Sequence, residues 1–175
     1  NETINSNVIN YFTHLTNLVN TDKIEGIINL TPSYNKLIIS FDLTVTNFSK
    51  LKKIIENLNF ENYLKKDNKK IEIPVCCENE YGLDFNRLSK TLNLSKNEIL
   101  NFFFEKEYFC YMTGFIAGMP FLGDVSEKIR CGRLETPRIK VPQGSVGITE
   151  QFSNIYTFES PGGWNIIGNT PKKVF

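Results

Sequence analysis

Histidine is almost missing from this chain: His14 is the only one among 175 residues. That supply all but removes histidine-dependent catalytic triads and multi-histidine metal sites. His14 itself falls beside an apolar helical stripe, next to Leu15, and reads as a helix-surface or boundary residue. Cysteine is sparse and badly spaced for a metal. Cys76 and Cys77 are adjacent, while Cys110 and Cys131 stand far away, so no C-x-x-C zinc arrangement exists and no metal site is expected. The chain lacks an excess of charge of either sign, with 20 Lys+Arg against 19 Asp+Glu. Nothing in that balance calls for nucleic acid or an anionic membrane as partner. No apolar run approaches the roughly 20 residues of a membrane helix. The polar start (Asn1, Glu2, Asn5, Asn7) lacks the basic and apolar regions of a signal peptide. Reduced thiols and a cytoplasmic location are therefore expected. There is no Walker A pattern, so this chain has nothing with which to cradle ATP by itself.

What is present suits a folded protein. Hydrophobic residues make up 41% and charged residues 22%, enough to bury a core in one ordinary domain or two small ones. Ile4, Val8, Tyr11, Phe12, Leu15, Leu18 and Val19 recur at steps of three and four, which predicts an amphipathic helix. Ile27–Leu30 and Leu37–Phe41 read as a hairpin around Thr31-Pro32-Ser33-Tyr34-Asn35. Thr46 or Asn47 can cap a second helix whose buried face is Phe48, Leu51, Ile54, Ile55 and Leu58. The run Lys65-Lys66-Asp67-Asn68-Lys69-Lys70 has no interleaved aromatics and reads as a solvated linker. This divides the chain into a small α/β domain, 1–68, and a second domain, 69–175.

The second domain opens with Ile71–Val75, an alternating strand pattern, followed by helices around Leu83–Leu92 and Ser95–Phe104. Ser95 and Glu98 form a capping box for the latter. After Glu107, short runs of aromatic and β-branched residues alternate with glycines and prolines, the pattern of a small β-barrel or sandwich. Three of the four arginines, Arg130, Arg133 and Arg138, precede or open its turns. Glycine turns with an arginine nearby can hold a small anion; the same glycines also serve simple barrel corners. Gly144-Ser145-Val146-Gly147 has the wrong order for a nucleophile elbow, and no histidine stands near, so Ser145 reads as a turn residue. Trp164, the single tryptophan, can stack on a ligand or plug the core.

One ordered set of residues resembles a known family. It comprises Tyr111-Met112-Thr113-Gly114-Phe115, Phe121-Leu122-Gly123, Leu134-Glu135-Thr136-Pro137-Arg138, Val141-Pro142-Gln143-Gly144-Ser145-Val146-Gly147-Ile148 and Glu159-Ser160-Pro161-Gly162-Gly163-Trp164, closing on Gly168-Asn169-Thr170-Pro171. This is similar to the B-type subunit of bacterial 5-oxoprolinase. The same family is called KipI or allophanate hydrolase subunit 1 (carboxyltransferase subdomains C and D), and its domain recurs in urea carboxylases. The resemblance implies a small ferredoxin-like α/β domain followed by a cyclophilin-like β-barrel. It also implies that both ends are shortened, by a first strand and by a final β segment. Some family positions are altered: Phe103 replaces a common histidine, Ala117 falls in a changed Ala-Pro-Gly-Phe stretch, Phe152 in a changed Gly-Gln-Thr-Gly stretch, and Asn169 replaces an arginine.

Two functions follow from the resemblance. In the first, the chain acts with a carboxyltransferase-like C-type subunit and a third, A-type subunit to hydrolyse 5-oxo-L-proline to L-glutamate. ATP is used by the complex; no cofactor is bound by this chain alone, and the chain is inactive alone. In the second, it is a regulator that binds and inhibits a sensor histidine kinase. No catalytic residue is assigned. The expected substrate or partner surface comprises Arg138, Gly144, Ser145, Glu159, Ser160, Gly162, Gly163 and Trp164, at one rim of the barrel. Arg138 supplies a fixed charge there or else serves as a structural brace, and Glu159 orients Arg138, acts as a base or forms a structural ion pair.

Overall fold

A computed structural model describes residues 12–17, 24–34, 36–57 and 69–175. The chain divides into two units, Asn1–Lys69 and Lys70–Phe175. In the first, α1 (12–17) buries Leu15. The remainder of the helix expected from Ile4 to Val19 lies outside the described residues, as do Asn35, Leu58 and the run at 65–68. Strands β1 (Ile27–Ser33) and β2 (Lys36–Phe41) pair antiparallel with Leu30 opposite Ile39. The hairpin is longer than expected. Pairing continues through Pro32, opposite Leu37, to Ser33, opposite Lys36. In a two-stranded ribbon each strand has an unpaired side, where a residue without an N–H is tolerated.

Helix α2 (Phe48–Glu56) begins at Asn47, whose side chain accepts a hydrogen bond from the Lys50 backbone N–H at 3.0 Å. It buries Leu51, but Phe48 is exposed, at the rim of a groove lined by Leu37, Ile39 and Phe41. The described residues of this unit thus form a hairpin and two helices, a mixed α/β arrangement without a ferredoxin-like sheet.

In the second unit, residues 71–75 form no ladder. Pro74 offers no N–H to one. The alternation is nonetheless real, because Ile73, Val75 and Cys77 pack on the core. The stretch is tied to the sheet only at Cys76, which exchanges backbone bonds with Asn169 at 2.8 and 2.9 Å. Helix α3 (Phe85–Leu92) starts two residues later than predicted, because Asp84 takes the N-cap position; Asn93, at φ 54°, ends it. Helix α4 (Lys96–Phe104) carries the predicted capping box: Ser95 and Glu98 bond reciprocally.

The main sheet contains β3 (Phe109–Thr113), β4 (Pro120–Gly123), β6 (Ser145–Thr149), β7 (Phe152–Ile155) and β9 (Asn165–Asn169). Their order is β3-β4-β7-β6-β9, all antiparallel. Strands β5 (Arg138–Val141) and β8 (Ser160–Gly162) form a separate ribbon. The expected closed barrel is replaced by open sheets among the described residues, since β5 and β8 pair with each other rather than bridging β3 to β9.

Every residue of β6 is buried, so this sheet is covered on both faces. Ile167 faces the cluster made by α3, α4 and the sheet, including Leu88, Ile99, Phe103 and Ile148. Its neighbour Ile166 faces the opposite cluster of Met119, Val141 and Tyr156. Strand alternation thus sends adjacent residues of β9 to two different cores.

Candidate functional site

A cleft of about 270 Å³ opens beside the second of these cores. Its walls include Phe115, Met119, Phe121, Tyr156 and Trp164, with Pro137, Pro161, Gly162 and Gly163 at its turns and Arg133 as its charged member. Trp164 is 5% exposed. Its ring meets Phe121 edge-on at 5.6 Å between centroids, and the Arg133 guanidinium lies 5.8 Å from the Trp164 ring centroid. Trp164 is packed as a core residue and is also among the residues lining the cleft. Arg133 is exposed and forms no ion pair among the described residues.

Tyr156 is fully buried in the cleft wall. Burial raises its hydroxyl above the ordinary tyrosine range, while hydrogen bonds from Asn154 and the Trp164 backbone and the charges of Arg133 and Arg138 pull the other way. The group therefore remains a neutral phenol at physiological pH. Gly162 makes room for it: a β-carbon there would collide with the Tyr156 hydroxyl and ring.

Arg138 and Gly162 are opposite each other in the β5–β8 register. Arg138 does not project freely into solvent. Its Nη2 donates to Asp84 Oδ1 at 2.6 Å, and the other Asp84 oxygen accepts the Ile166 N–H at 2.6 Å. The Asp84 side chain is 6% exposed and that of Arg138 is 26%, so Arg138 braces the ribbon against α3 and the sheet. Glu159 does not orient Arg138. It pairs instead with Lys140 at 3.0 Å, both side chains well exposed.

The expected surface is thus brought together only in part. Arg138, Gly162, Gly163 and Trp164 gather around or beside the cleft. Ser160 opens β8 opposite Val141 and is buried. Gly144, at φ 81°, and Ser145 lead into β6 as backbone partners of Tyr156, through Gly144 N–H to Tyr156 O (2.7 Å) and Tyr156 N–H to Ser145 O (2.9 Å). Ser145 is a buried strand residue rather than an exposed turn residue.

Reading the sequence missed Asp84, Tyr156 and Arg133 as parts of one site. Asp84 fell inside the helix expected around Leu83–Leu92, and nothing local told that its carboxylate would be used 54 residues away. Among the described residues, no group of three or more His, Cys, Asp or Glu could hold a metal ion, and no helix is long and apolar enough to cross a membrane. All four cysteines are free thiols.

The model of one protein family, the carboxyltransferase domain, subdomains C and D, matches residues 1–175. The chain belongs to this family. Curated relatives of the carboxyltransferase C/D chain include the 5-oxoprolinase B subunit of Bacillus subtilis (strain 168), 42% identical over 105 residues, covering 60% of this chain and 44% of that protein. The protein of the same name from Haemophilus influenzae is 43% identical over 105 residues (60% of this chain, 49% of that one). Its namesake from Escherichia coli O157:H7 is 34% identical over 112 residues (64% and 51%). The chain therefore spans about half the length of the curated relatives it matches.

Among solved structures, TTHA0988 superposes with TM-score 0.85 at 26% identity, over all of this chain and 34% of that one. The conserved uncharacterized protein PH0987 from Pyrococcus horikoshii gives TM-score 0.59 at 30% identity, over all of this chain and 81% of that one. Urea carboxylase of Kluyveromyces lactis shares the fold at TM-score 0.73 and 18% identity, over 97% of this chain and 17% of the enzyme. The resemblance noted in the sequence is thus borne out.

Phe103, Ala117, Phe152 and Asn169, the positions read from the sequence as departures, each make a local contact. Phe103 is buried against the Tyr108 ring at 5.1 Å, and the Phe152 ring meets Tyr111 at 6.1 Å. The Ala117 carbonyl accepts the Thr157 hydroxyl at 2.6 Å, and Asn169 donates to the Gln143 carbonyl at 2.8 Å.

Proposed function

We propose that this chain supplies the B-type part of a 5-oxoprolinase, working with a carboxyltransferase-like C-type subunit and a third, A-type subunit in the cytoplasm. The observation that carries the reading is its 34–43% identity to three proteins named as the B subunit of 5-oxoprolinase. The reaction opens the lactam ring of 5-oxo-L-proline to give L-glutamate. A lactam is a poor electrophile because its nitrogen lone pair is delocalised into the carbonyl. Transfer of a phosphoryl group from ATP to the lactam oxygen releases ADP and makes the ring carbon electrophilic. One water adds there, the C–N bond breaks as the nitrogen takes up a proton to become the amine, and a second water releases phosphate from the resulting acyl phosphate. The cleft beside Trp164, at about 270 Å³, suits a small substrate better than a nucleotide, since pockets for drug-sized ligands run about 300–1,000 Å³. Together with the lack of a Walker A pattern, this supports a reading in which one of the other two components binds ATP.

In this reading the chain contributes orientation and charge. Trp164 and Phe121 offer a flat apolar wall, the Tyr156 phenol stays protonated within it, and Arg133 brings the positive charge. The test is glutamate release from 5-oxoproline with ATP, by this chain alone and with both proposed partners. Turnover only in the three-component mixture is the expected result. Robust turnover by the chain alone, or none in the mixture despite stable assembly, rejects it.

A further inference from the structure

We infer that the cleft beside Trp164 binds a compact carboxylate with a flat or apolar body, and that Arg133 is the residue that holds the carboxylate. This deepens the proposed function, on whose reading the choice of a five-membered lactam acid as one probe rests. The two arginines beside the ribbon have different employment. Arg138 is committed to buried Asp84 at 2.6 Å. Arg133 is exposed, has no acidic partner among the described residues, and lies 5.8 Å from the centroid of a ring that itself lines the cleft. A guanidinium held within cation–π range of an indole ring still has its N–H fork available to a planar anion. Beyond it the cleft is apolar: Phe115, Met119, Phe121 and Trp164 supply the walls.

The ligand chemistry follows from this polarity. An isolated inorganic anion would leave the aromatic walls unused, and a neutral hydrocarbon would leave the guanidinium unused. A small molecule with one carboxylate and a ring-sized body uses both. The body is limited in size by the 270 Å³ volume. Gly162 holds that volume open at the Tyr156 side, where a β-carbon would meet the phenol.

Trp164 is the only tryptophan, so its fluorescence reports on this cleft. The experiment titrates the chain with 5-oxo-L-proline, cyclopentanecarboxylate (the carboxylate without the amide), 2-pyrrolidone (the amide without the carboxylate) and inorganic phosphate. The titrations are repeated with Arg133→Gln and Arg133→Lys. Arg133 is exposed, and the Arg87 bond at this position goes to its backbone carbonyl, so neither variant is expected to alter folding; circular dichroism checks this. Saturable quenching by the two carboxylates, at least about tenfold weaker for 2-pyrrolidone and phosphate and for Arg133→Gln, with partial recovery in Arg133→Lys, is the expected result. No saturable response to either carboxylate, or equal affinity in Arg133→Gln, overturns the inference. Binding of cyclopentanecarboxylate without 5-oxo-L-proline supports the inference while rejecting the substrate reading. Full turnover of 5-oxo-L-proline by the assembled complex carrying Arg133→Gln, with unchanged KM, rejects the inference while leaving that reading intact.

Discussion

Arg138 and Asp84, 54 residues apart in sequence, form an ion pair at 2.6 Å between a ribbon strand and the residue that opens a helix. The second oxygen of Asp84 holds the Ile166 N–H, so one carboxylate joins β5, β9 and the start of α3. An arginine that reads in sequence as an exposed charge for a ligand thus works as a brace beneath the cleft, and the free charge belongs to Arg133.

Removing one partner of this pair should be costly. Arg138→Ala leaves the Asp84 carboxylate buried without its cation, and unpaired buried charges of this kind destabilise by about 3–5 kcal/mol. The expected result in urea is a lower transition midpoint with no gain in cooperativity. The double variant Arg138→Ala/Asp84→Asn, in which the amide oxygen can still accept from Ile166, should recover part of the loss. A single variant as stable as the parent would show that the pair carries no such weight.

Two neighbouring glycines should respond differently to the same methyl group. At Gly162 a β-carbon overlaps the Tyr156 phenol, whereas at Gly163 its nearest atom is a Pro137 carbon at 3.5 Å, an ordinary contact. Gly162→Ala is expected to lose about 1–3 kcal/mol through forced repacking and to change Trp164 emission, as Tyr156 shifts in the cleft wall. Gly163→Ala should stay close to the parent by both measures. Thermal unfolding with tryptophan fluorescence tests the pair, and equal behaviour of the two would contradict the described geometry.

Local signals survive translation into structure better than long-range ones. The capping box at Ser95 and the Asn47 cap were legible because a cap is written within four residues of sequence. The inward alternation of Ile73 and Val75 was legible too, but the absence of a ladder was not, since that depends on which strand lies beside them. The same reason hid the open sheets. The turns after Glu107 announce strands, yet the pairing of β5 with β8 is a choice of partner that no single strand encodes. At the site, Gly162, Gly163 and Trp164 could be named from their turn. Asp84 could not, because its role is fixed by contacts to residues 138 and 166.

The capping box gives a pH-dependent test. Hydrogen bonds from the Ser95 hydroxyl and backbone N–H hold the Glu98 carboxyl below its ordinary value. A lowered folded-state value means that this stabilisation is present above the unfolded carboxylate's pKa and is lost as pH falls through the folded one. Ser95→Ala should cost about 1 kcal/mol near neutrality, a typical loss for an N-cap. The difference between variant and parent should shrink in acid. Chemical unfolding at neutral pH and in acid measures it; a gap that widens in acid would reverse the assigned sign.

Tyr111 supplies the corresponding test in alkali. Its hydroxyl donates to Asp124 at 3.2 Å, and its pKa is pushed up from 10.0 to about 12 by burial first, then by the Asp124 charge and that hydrogen bond. Because the folded-state value lies above the unfolded one, the contribution to stability is complete below about pH 10 and disappears as pH rises toward about 12. Asp124→Asn removes the charge while leaving the burial, so Tyr111 should ionise earlier than in the parent but still later than a free tyrosine. Tyrosinate absorbance, followed against pH on parent, Asp124→Asn and Tyr111→Phe, isolates the step. A parent titration unchanged by Asp124→Asn would mean that burial alone sets Tyr111, and that the carboxylate beside it has no electrostatic hold on the phenol.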